Sequence, residues 1–314
     1  MTVAVVIVNY NSSLLLERCL QCLSDQTERA DRVIIVDNAS TEPESLALLE
    51  EISNAEVIYC EENLGYGAAI NRAVSSLQDI DYVCCLNPDA FPKPEWLANL
   101  ILEADQHPSY GSFASLMLKA EDESTIDGAG DELHFTGIPW RRFHGKLLAD
   151  TEIETGPVFS ACAGAAMYRI EAFTRFGGFD ESFFMYVEDI DLGFRLQLAG
   201  LPCLLVRGAI VLHVGSAITG EASPFSIYHG HRNLVYNYFK NMPMVLLLWT
   251  LPFHLLANFW SILVFACRGS TTTICKAKLD ATLQISSAVR ARDPAKQLVS
   301  NGYIWKLLAK TPVR

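Results

Sequence analysis

The sequence predicts an α/β protein built on a largely parallel sheet, and three observations carry that reading. The runs VAVVIVNY (3–10), RVIIVDN (32–38) and YVCCLNP (82–88) are continuously apolar, as strands buried on both faces are. Segments with helical spacing of apolar residues lie between them, which implies parallel strands joined by right-handed crossovers. Polar residues then gather where the strands end: Asn9 and Asn11, Asp37 and Asn38, Asn87 and Asp89. In such a sheet, ligands sit at that edge.

The elements follow in order. Ser12 and Ser13 are placed to cap a helix running to about Gln26, and Pro43 opens the helix in PESLALLEEIS. EVIYC (56–60) is a further strand, followed by a helix from about Gly65 to Leu77. Beyond residue 119 the alternation weakens. DESTIDGAGDELHFTGIPWRRFHGK, rich in glycine and charge, reads as loops around short strands. VFSACAGAAMYRIEAFTRFGG is a small-residue segment and then a helix that Gly177 and Gly178 end. A helix from Glu188 to Ala199, closed by Gly200, and a strand carrying His213 complete a first unit, residues 1–240. A second, residues 241–314, is apolar and then basic.

The totals exclude some functions. A net charge of −12 over 314 residues, with no basic stripe bearing aromatics, argues against nucleic acid as a partner. The charge is uneven: from Arg268 onward there are nine Lys and Arg against two Asp and Glu. An acidic body with a basic tail points to an anionic surface, most simply a membrane. MPMVLLLWTLPFHLLANFWSILVFAC (242–267) has no charged residue and could span a bilayer by length. Pro252 interrupts it, and a span would send the basic tail to the far side, against the positive-inside tendency. A hairpin broken at the proline, lying in the interface, is the expectation; a buried helix pair is the alternative. Nine scattered cysteines and an N-terminus without signal-peptide features imply a reduced, cytosolic setting. Cys19 and Cys22 form a CxxC, but on a helical pattern without a second pair they read as core rather than zinc or redox groups.

FFMYVEDIDLGFRLQLAG (183–200) sets Glu188, Asp189 and Asp191 directly after an aromatic block. Such acids suit the first turn of a helix. They also suit a cleft where a proton is removed or a cation held. Asp37 in VDNAST and Asp89 in LNPDA pose the same choice between capping and chemistry.

Taken together, VIVNYN, VDNAST, ENLGYGAAINRA, LNPDA, CAGAAMYRIEAF, GGFDESFFMYVEDIDLGFRLQLAG and HRNLVYNYFK resemble glycosyltransferase family 2, and especially its rhamnosyltransferase-like branch. The resemblance covers about residues 3–240 and implies a GT-A type, Rossmann-like mixed sheet flanked by helices, followed by a membrane-associated helical segment. It implies inverting transfer of a sugar, foremost rhamnose from dTDP-rhamnose, to a glycan or lipid-linked glycan in cell-surface polysaccharide synthesis. The expected place is the cytoplasmic face of the inner membrane, with peripheral or monotopic attachment. Asp189 would be the base and Glu188 its electrostatic support, while Asp191 lies on the acceptor side or pairs with Arg195. Phe184 and Tyr186 would wall the acceptor. Asn9, Asp37, Asn63, Gly65, Asn71 and Asn87 would line the donor side. The family's two-aspartate metal motif stands here as Asn87-Pro88-Asp89, so Asp89 would supply the carboxylate to Mg²⁺ or Mn²⁺, with His213 completing the site unless it is a core histidine.

Two other classes were weighed. A dinucleotide oxidoreductase wants GxGxxG after the first strand, where this chain has NYNSS. A catalytically silent sugar-nucleotide or membrane-binding module is the alternative that Asp89 and Asp189 argue against.

Overall fold

The computed structural model describes residues 1–215, 223–293 and 297–311; Lys296 and Arg314 of the basic tail lie outside the described residues. Four strands, β1 (Val3–Asn9), β2 (Arg32–Asp37), β3 (Glu56–Tyr59) and β4 (Tyr82–Leu86), stand in the order β3-β2-β1-β4, all parallel. Every residue of β1 is buried, which explains its unbroken β-branched run. The crossovers are α1 (Ser13–Ser24), α2 (Pro43–Glu51) and α3 (Tyr66–Ser75). Ser12 stands at the N-cap of α1, but its hydroxyl donates to Asn9 Oδ1 at 2.7 Å instead of capping the helix.

Next come β5 (Ala90–Pro92), α4 (Trp96–Gln106), β6 (Ser112–Lys119) and β7 (Asp122–Ala129), then the hairpin of β8 (Asp131–Leu133) and β9 (Pro139–Arg141). The stretch expected to be loops around short strands therefore opens with an eight-residue strand. Its exposed first half carries Asp122 and Glu123, and its buried second half holds Gly128 and Ala129, which suit a crowded sheet, together with the buried Asp127. After β10 (Gly156–Val158), β11 (Ala165–Arg169) runs antiparallel between β4 and β6 and makes the sheet mixed. Then follow α5 (Ile170–Arg175), α6 (Glu188–Leu198) and β12 (Cys203–His213). The expected mixed sheet flanked by helices is present.

Two registers position chemistry. Asn9 pairs with Asp37 at the ends of β1 and β2, and His213 pairs with Ala90, next to Asp89, where β12 meets β5. Gly193 lets α6 press against the chain that follows β10: a Cβ there would lie 2.3 Å from Ser160 Cβ.

The C-terminal part is α7 (Pro224–Asn241), α8 (Met244–Cys267), α9 (Thr271–Arg290) and α10 (Asn301–Leu307). Contrary to the expected break, α8 is one helix of 24 residues that runs through Pro252. The turn before the proline is braced by side chains: Thr250 Oγ1 donates to Leu246 O at 2.8 Å, and the Tyr238 hydroxyl to Leu247 O at 3.0 Å. They strengthen that turn, although neither reaches Leu248 O, the carbonyl that the missing N–H of Pro252 leaves without its helical donor. Nor is α8 a buried core helix. Leu246, Leu247, Thr250 and His254 are buried on one face, while Leu248 (65%), Leu256 (65%) and Trp260 (65%) stand exposed on the other. Among the described residues α8 is the one helix long and apolar enough to cross a membrane. Its buried face shares a core with Phe159, Phe194 and Leu133 of the first unit, to which α10 adds Ile304.

Candidate active site

A cavity of about 720 Å³ opens at the carboxyl edge of the parallel strands. Asn38 and Asn63 lie at one end, α7 and the last turn of α8 at the other; Asp89, Glu188, Asp189 and His213 line it together.

Asp89 and His213 meet because β12 pairs with β5. His213 Nε2 is 3.5 Å from Asp89 Oδ1, and its Nδ1 is 2.8 Å from Asp127 Oδ2 on β7. Asp127 also pairs with Arg141. Burial alone would depress the His213 imidazole, but the two carboxylates outweigh it and hold the pKa above its ordinary value. A carboxylate on Nδ1 fixes the ring and leaves Nε2 as the ligand atom, as in metal-bound histidines. Among the described residues no group of three or more His, Cys, Asp or Glu side chains forms a metal cage. One carboxylate and one imidazole facing an open cavity suit a cation that takes its other ligands from phosphate and water.

The start of α6 is strained. Phe184, Tyr186 and Val187 all have positive φ, at 64°, 69° and 74°. The amide of Met185 donates to Phe183 O at 2.8 Å, closing a tight three-residue turn about Phe184. Such conformations persist only where neighbours impose them. The neighbour is α7: Asn233 Nδ2 lies 2.9, 2.8 and 2.8 Å from the carbonyl oxygens of Phe183, Met185 and Tyr186, and Arg232 Nη2 donates to Phe183 O at 2.9 Å. From the other side, the Tyr66 amide donates to Phe184 O at 2.8 Å. Gly65, at φ +81°, allows that approach, since a Cβ there would lie 2.3 Å from the same oxygen.

This frame aims Asp189 into the cavity. Its Oδ2 accepts from the Ala163 amide at 3.1 Å and its Oδ1 from the Ile190 amide at 2.8 Å. Burial raises its pKa; the two amides and Arg141 pull the other way, and the net value stays above the aspartate range. Glu188 is 6% exposed, and its Oε2 has no hydrogen-bond partner. Burial, then the charge of Asp189, pushes it up to about 8, so near neutral pH it is mostly a protonated acid. That shift runs against the expected support of Asp189 by a negative Glu188.

Of the other expected site residues, Asn63, Asn87 and Tyr186 line the cavity, while Asn9, Asp37, Gly65, Asn71, Phe184 and Asp191 stand behind it. Asn9 is fully buried, and its Nδ2 donates to Asp37 Oδ1 at 3.1 Å; Asp37 also takes the Ser40 hydroxyl at 2.5 Å. Asn71 brackets the chain at Phe179, accepting from its amide at 3.0 Å and donating to its carbonyl at 2.8 Å. The ring of Phe184 stacks on His229, with centroids 5.4 Å apart. Asp191 is 0% exposed and cannot touch an acceptor. It takes Lys240 at 2.7 Å and Arg195 at 2.6 Å, the alternative pairing considered for it.

Three residues escaped sequence reasoning, and a fourth, Asn38, stands at the expected ligand edge of the sheet but has no role in that reading. Asn38 lines the cavity and holds the Asn63 side chain, donating to its Oδ1 at 3.0 Å. Asp131 and Arg141 line the cavity from the glycine-rich stretch, where no periodicity marked them. Asn233 lies in the HRNLVYNYFK block that carried the resemblance, but its partners are backbone carbonyls, so no sequence signal assigns it a role. Cys19 is buried and its Sγ lies 3.7 Å from Asn87 O, with burial raising its thiol well above the ordinary range; among the described residues all nine cysteines are free. The CxxC is core, as expected.

The profile of "Glycosyl transferase family 2" matches residues 4–177. The "N-acetylglucosaminyl-diphospho-decaprenol L-rhamnosyltransferase" of Mycobacterium tuberculosis (strain ATCC 25618 / H37Rv) is 32% identical over 72% of this chain and 80% of its own length. The "Rhamnosyltransferase WbbL" of Escherichia coli (strain K12) is 29% identical over 67% of this chain and 83% of its own. Among solved structures, GalNAc-T7 with UDP, GalNAc and Mn²⁺ superposes with a TM-score of 0.62 at 16% identity, over 76% of this chain and about half (48%) of that one. The mannosyltransferase PcManGT from Pyrobaculum calidifontis, in complex with GDP-Man and Mn²⁺, gives 0.57 at 16% identity over 90% of this chain and 86% of its own. These likenesses agree with the GT-A type fold, and with the profile and the sequence relatives they place the chain in glycosyltransferase family 2.

Proposed function

We propose that the protein transfers rhamnose from dTDP-rhamnose, with inversion, to a hydroxyl of a lipid-linked glycan in cell-envelope polysaccharide synthesis. The observation that carries this reading is the placement of Asp189 in one cavity with the Asp89–His213 pair. Rhamnosyl transfer is supported by the two relatives named above, and a lipid-linked acceptor by the name of the mycobacterial one.

Asn38, Asn63 and Asn87 line the donor end, and Asp89 with His213 Nε2 would hold Mg²⁺ or Mn²⁺. When bound there, the cation offsets the charge that builds on the departing diphosphate. Asp189 accepts the proton of the acceptor hydroxyl as its oxygen bonds to the anomeric carbon and the bond to the diphosphate breaks on the opposite face. Ala163 and Ile190 hold the carboxylate still, and burial keeps it basic.

Attachment is monotopic in this reading. Along its buried face α8 docks on the body: Phe135 meets Phe253 at 5.5 Å and Tyr238 stacks on His254 at 3.8 Å between centroids. Crossing a bilayer would tear those contacts apart. Lying in the interface keeps them and immerses the exposed face. The cavity then faces the cytosolic donor.

The test is transfer of sugar from dTDP-rhamnose, UDP-glucose, UDP-N-acetylglucosamine and GDP-mannose to a diphosphate-lipid-linked acceptor, with Mg²⁺, with Mn²⁺ and with EDTA. Product from dTDP-rhamnose alone, lost in EDTA, is expected. A preference for another donor overturns the sugar, and full activity in EDTA overturns the metal.

A further inference from the structure

The cavity does not end at the catalytic carboxylates. It continues past Tyr186 and Ile190 to Ser226, Gly230 and His231 on α7, then to Phe265 and Arg268 where α8 ends. This end is polar and carries one exposed cation, Arg268. Ser226 sits in the first turn of α7, but the N-cap Ser223 Oγ accepts from its amide at 3.1 Å and its own hydroxyl donates to Ser223 O at 3.0 Å, so its donors are already engaged. Arg268 is exposed at the mouth, and its guanidinium carbon lies 5.8 Å from the Phe265 ring centroid. None of the ion pairs among the described residues involves it.

Behind His231 stands Lys278 of α9, 9% exposed and without a carboxylate partner among the described residues. Its Nζ donates to Asn258 Oδ1 at 2.5 Å and lies 3.2 Å from His231 Nδ1. Burial draws the Lys278 pKa down to about 7; in its ammonium form it has only donors, so Nδ1 then accepts and Nε2–H is the donor of the ring lining the cavity. Burial, then the Lys278 charge, pushes His231 down to about 3, which keeps it a neutral donor.

The same end adjoins apolar surface. Leu248, Leu255, Leu256, Phe259, Trp260 and Leu263 recur at helical spacing along α8, each between 42% and 65% exposed, and lead toward Arg268. An occupant of this junction carries an anionic group beside a long hydrocarbon.

We propose that Gly230, His231 and Arg268 form the subsite for the diphosphate of a polyprenyl-diphosphate-linked acceptor, whose hydrocarbon lies along the exposed stripe of α8. The subsite rests on the lipid-linked acceptor proposed above. It sets the sugar of the acceptor between the diphosphate and Asp189, and it makes α8 a guide for substrate as well as an anchor.

The experiment compares two acceptors of the full-length protein: a polyprenyl-diphosphate-linked sugar and a short-chain alkyl glycoside of the same sugar without phosphate. Arg268→Glu changes an exposed residue, and Gly230→Leu fills a place where an added Cβ meets no atom within 4 Å. Each variant should lower the ratio of kcat/KM on the diphosphate acceptor to that on the glycoside by about tenfold, Arg268→Glu by losing one charge-assisted contact and Gly230→Leu by filling the space the diphosphate would take. The KM for the donor should stay put. A ratio unchanged in both variants overturns the subsite. A raised donor KM assigns this end to the donor's diphosphate instead. If wild-type protein uses the glycoside and ignores the lipid diphosphate, the lipid-linked reading itself falls, and the subsite with it.

Discussion

Asn233 and Tyr186 are joined by a hydrogen bond of 2.8 Å from a side-chain amide on α7 to a backbone carbonyl two residues before Glu188. The same amide reaches Phe183 O and Met185 O, so one side chain holds three carbonyls of a backbone with φ of 64°, 69° and 74° at Phe184, Tyr186 and Val187. Asn233→Leu should let that segment relax and carry Asp189 off line. We expect kcat to fall by about 10²-fold, the cost of roughly 1 Å of misplacement, with donor affinity retained. An unchanged kcat would show that Asn233 only stabilises the fold.

Asp189→Asn keeps shape and removes the basic lone pair. Donor binding should persist, while transfer falls roughly 10²–10⁴-fold. Glu188→Gln should cost much less, because that carboxyl is already mostly protonated near neutral pH. The sign of the pH effect follows from the raised pKa of Asp189: transfer is full above it and is lost as pH falls through it, at a pH above the ordinary aspartate value. An acid limb at or below about pH 4 would contradict the buried base. A dead Glu188→Gln beside a live Asp189→Asn would move the base by one residue.

Asp89→Ala should abolish metal-dependent donor binding, since it removes the one carboxylate beside His213 Nε2 at 3.5 Å. The fold should survive, as β5 and β12 pair through their backbones. Calorimetric titration of dTDP-rhamnose with and without Mn²⁺ reads this directly, and equal affinity in mutant and wild type would remove Asp89 from the site.

Asp191→Asn should act on stability. Burial opposes the carboxylate, but Arg195 and Lys240 outweigh it and hold its pKa at about 2. The contribution is therefore complete above the unfolded value of about 3.9 and is lost as pH falls through about 2. Breaking such a buried pair costs about 3–5 kcal/mol. Urea unfolding at pH 7 should show that loss, and at pH 2 most of the difference should vanish. Equal stability at pH 7 would mean that the two cations find other partners.

Leu248→Ser, Leu256→Ser and Trp260→Ser together should move the protein from the membrane pellet to the soluble fraction. These side chains touch solvent rather than core, each 65% exposed. Cutting the chain after Lys240 is a poorer probe, because it would strip Leu246, Leu247, Ile304 and Leu308 from a core they share with Phe194. A triple variant that still pellets as a folded protein would refute interfacial attachment by this face.

The fold was largely legible because its signals are local. Continuous β-branched runs such as that of β1 require burial on both faces, and the polar residues after them fall at one sheet edge by topology. The diagnostic block at 183–200 pointed to Asp189 for the same reason, since an acid in the first turn of a helix shows in sequence. What misled was context. Pro252 marked a break in isolation, yet packing on Tyr238 and the bond of Thr250 kept α8 whole.

The sequence by itself determined the α/β class, the family, and which carboxylates stand at strand and helix ends, because these follow from periodicity and adjacent residues. Tertiary structure alone decided which of those carboxylates can act. Asp189 and Asp191 are two residues apart in one helix turn, yet one faces the cavity and the other lies between Arg195 and Lys240. A helix turns about 100° per residue, so that separation sends the two side chains to opposite sides, and only the packing of α7 against α6 makes one side cleft and the other core.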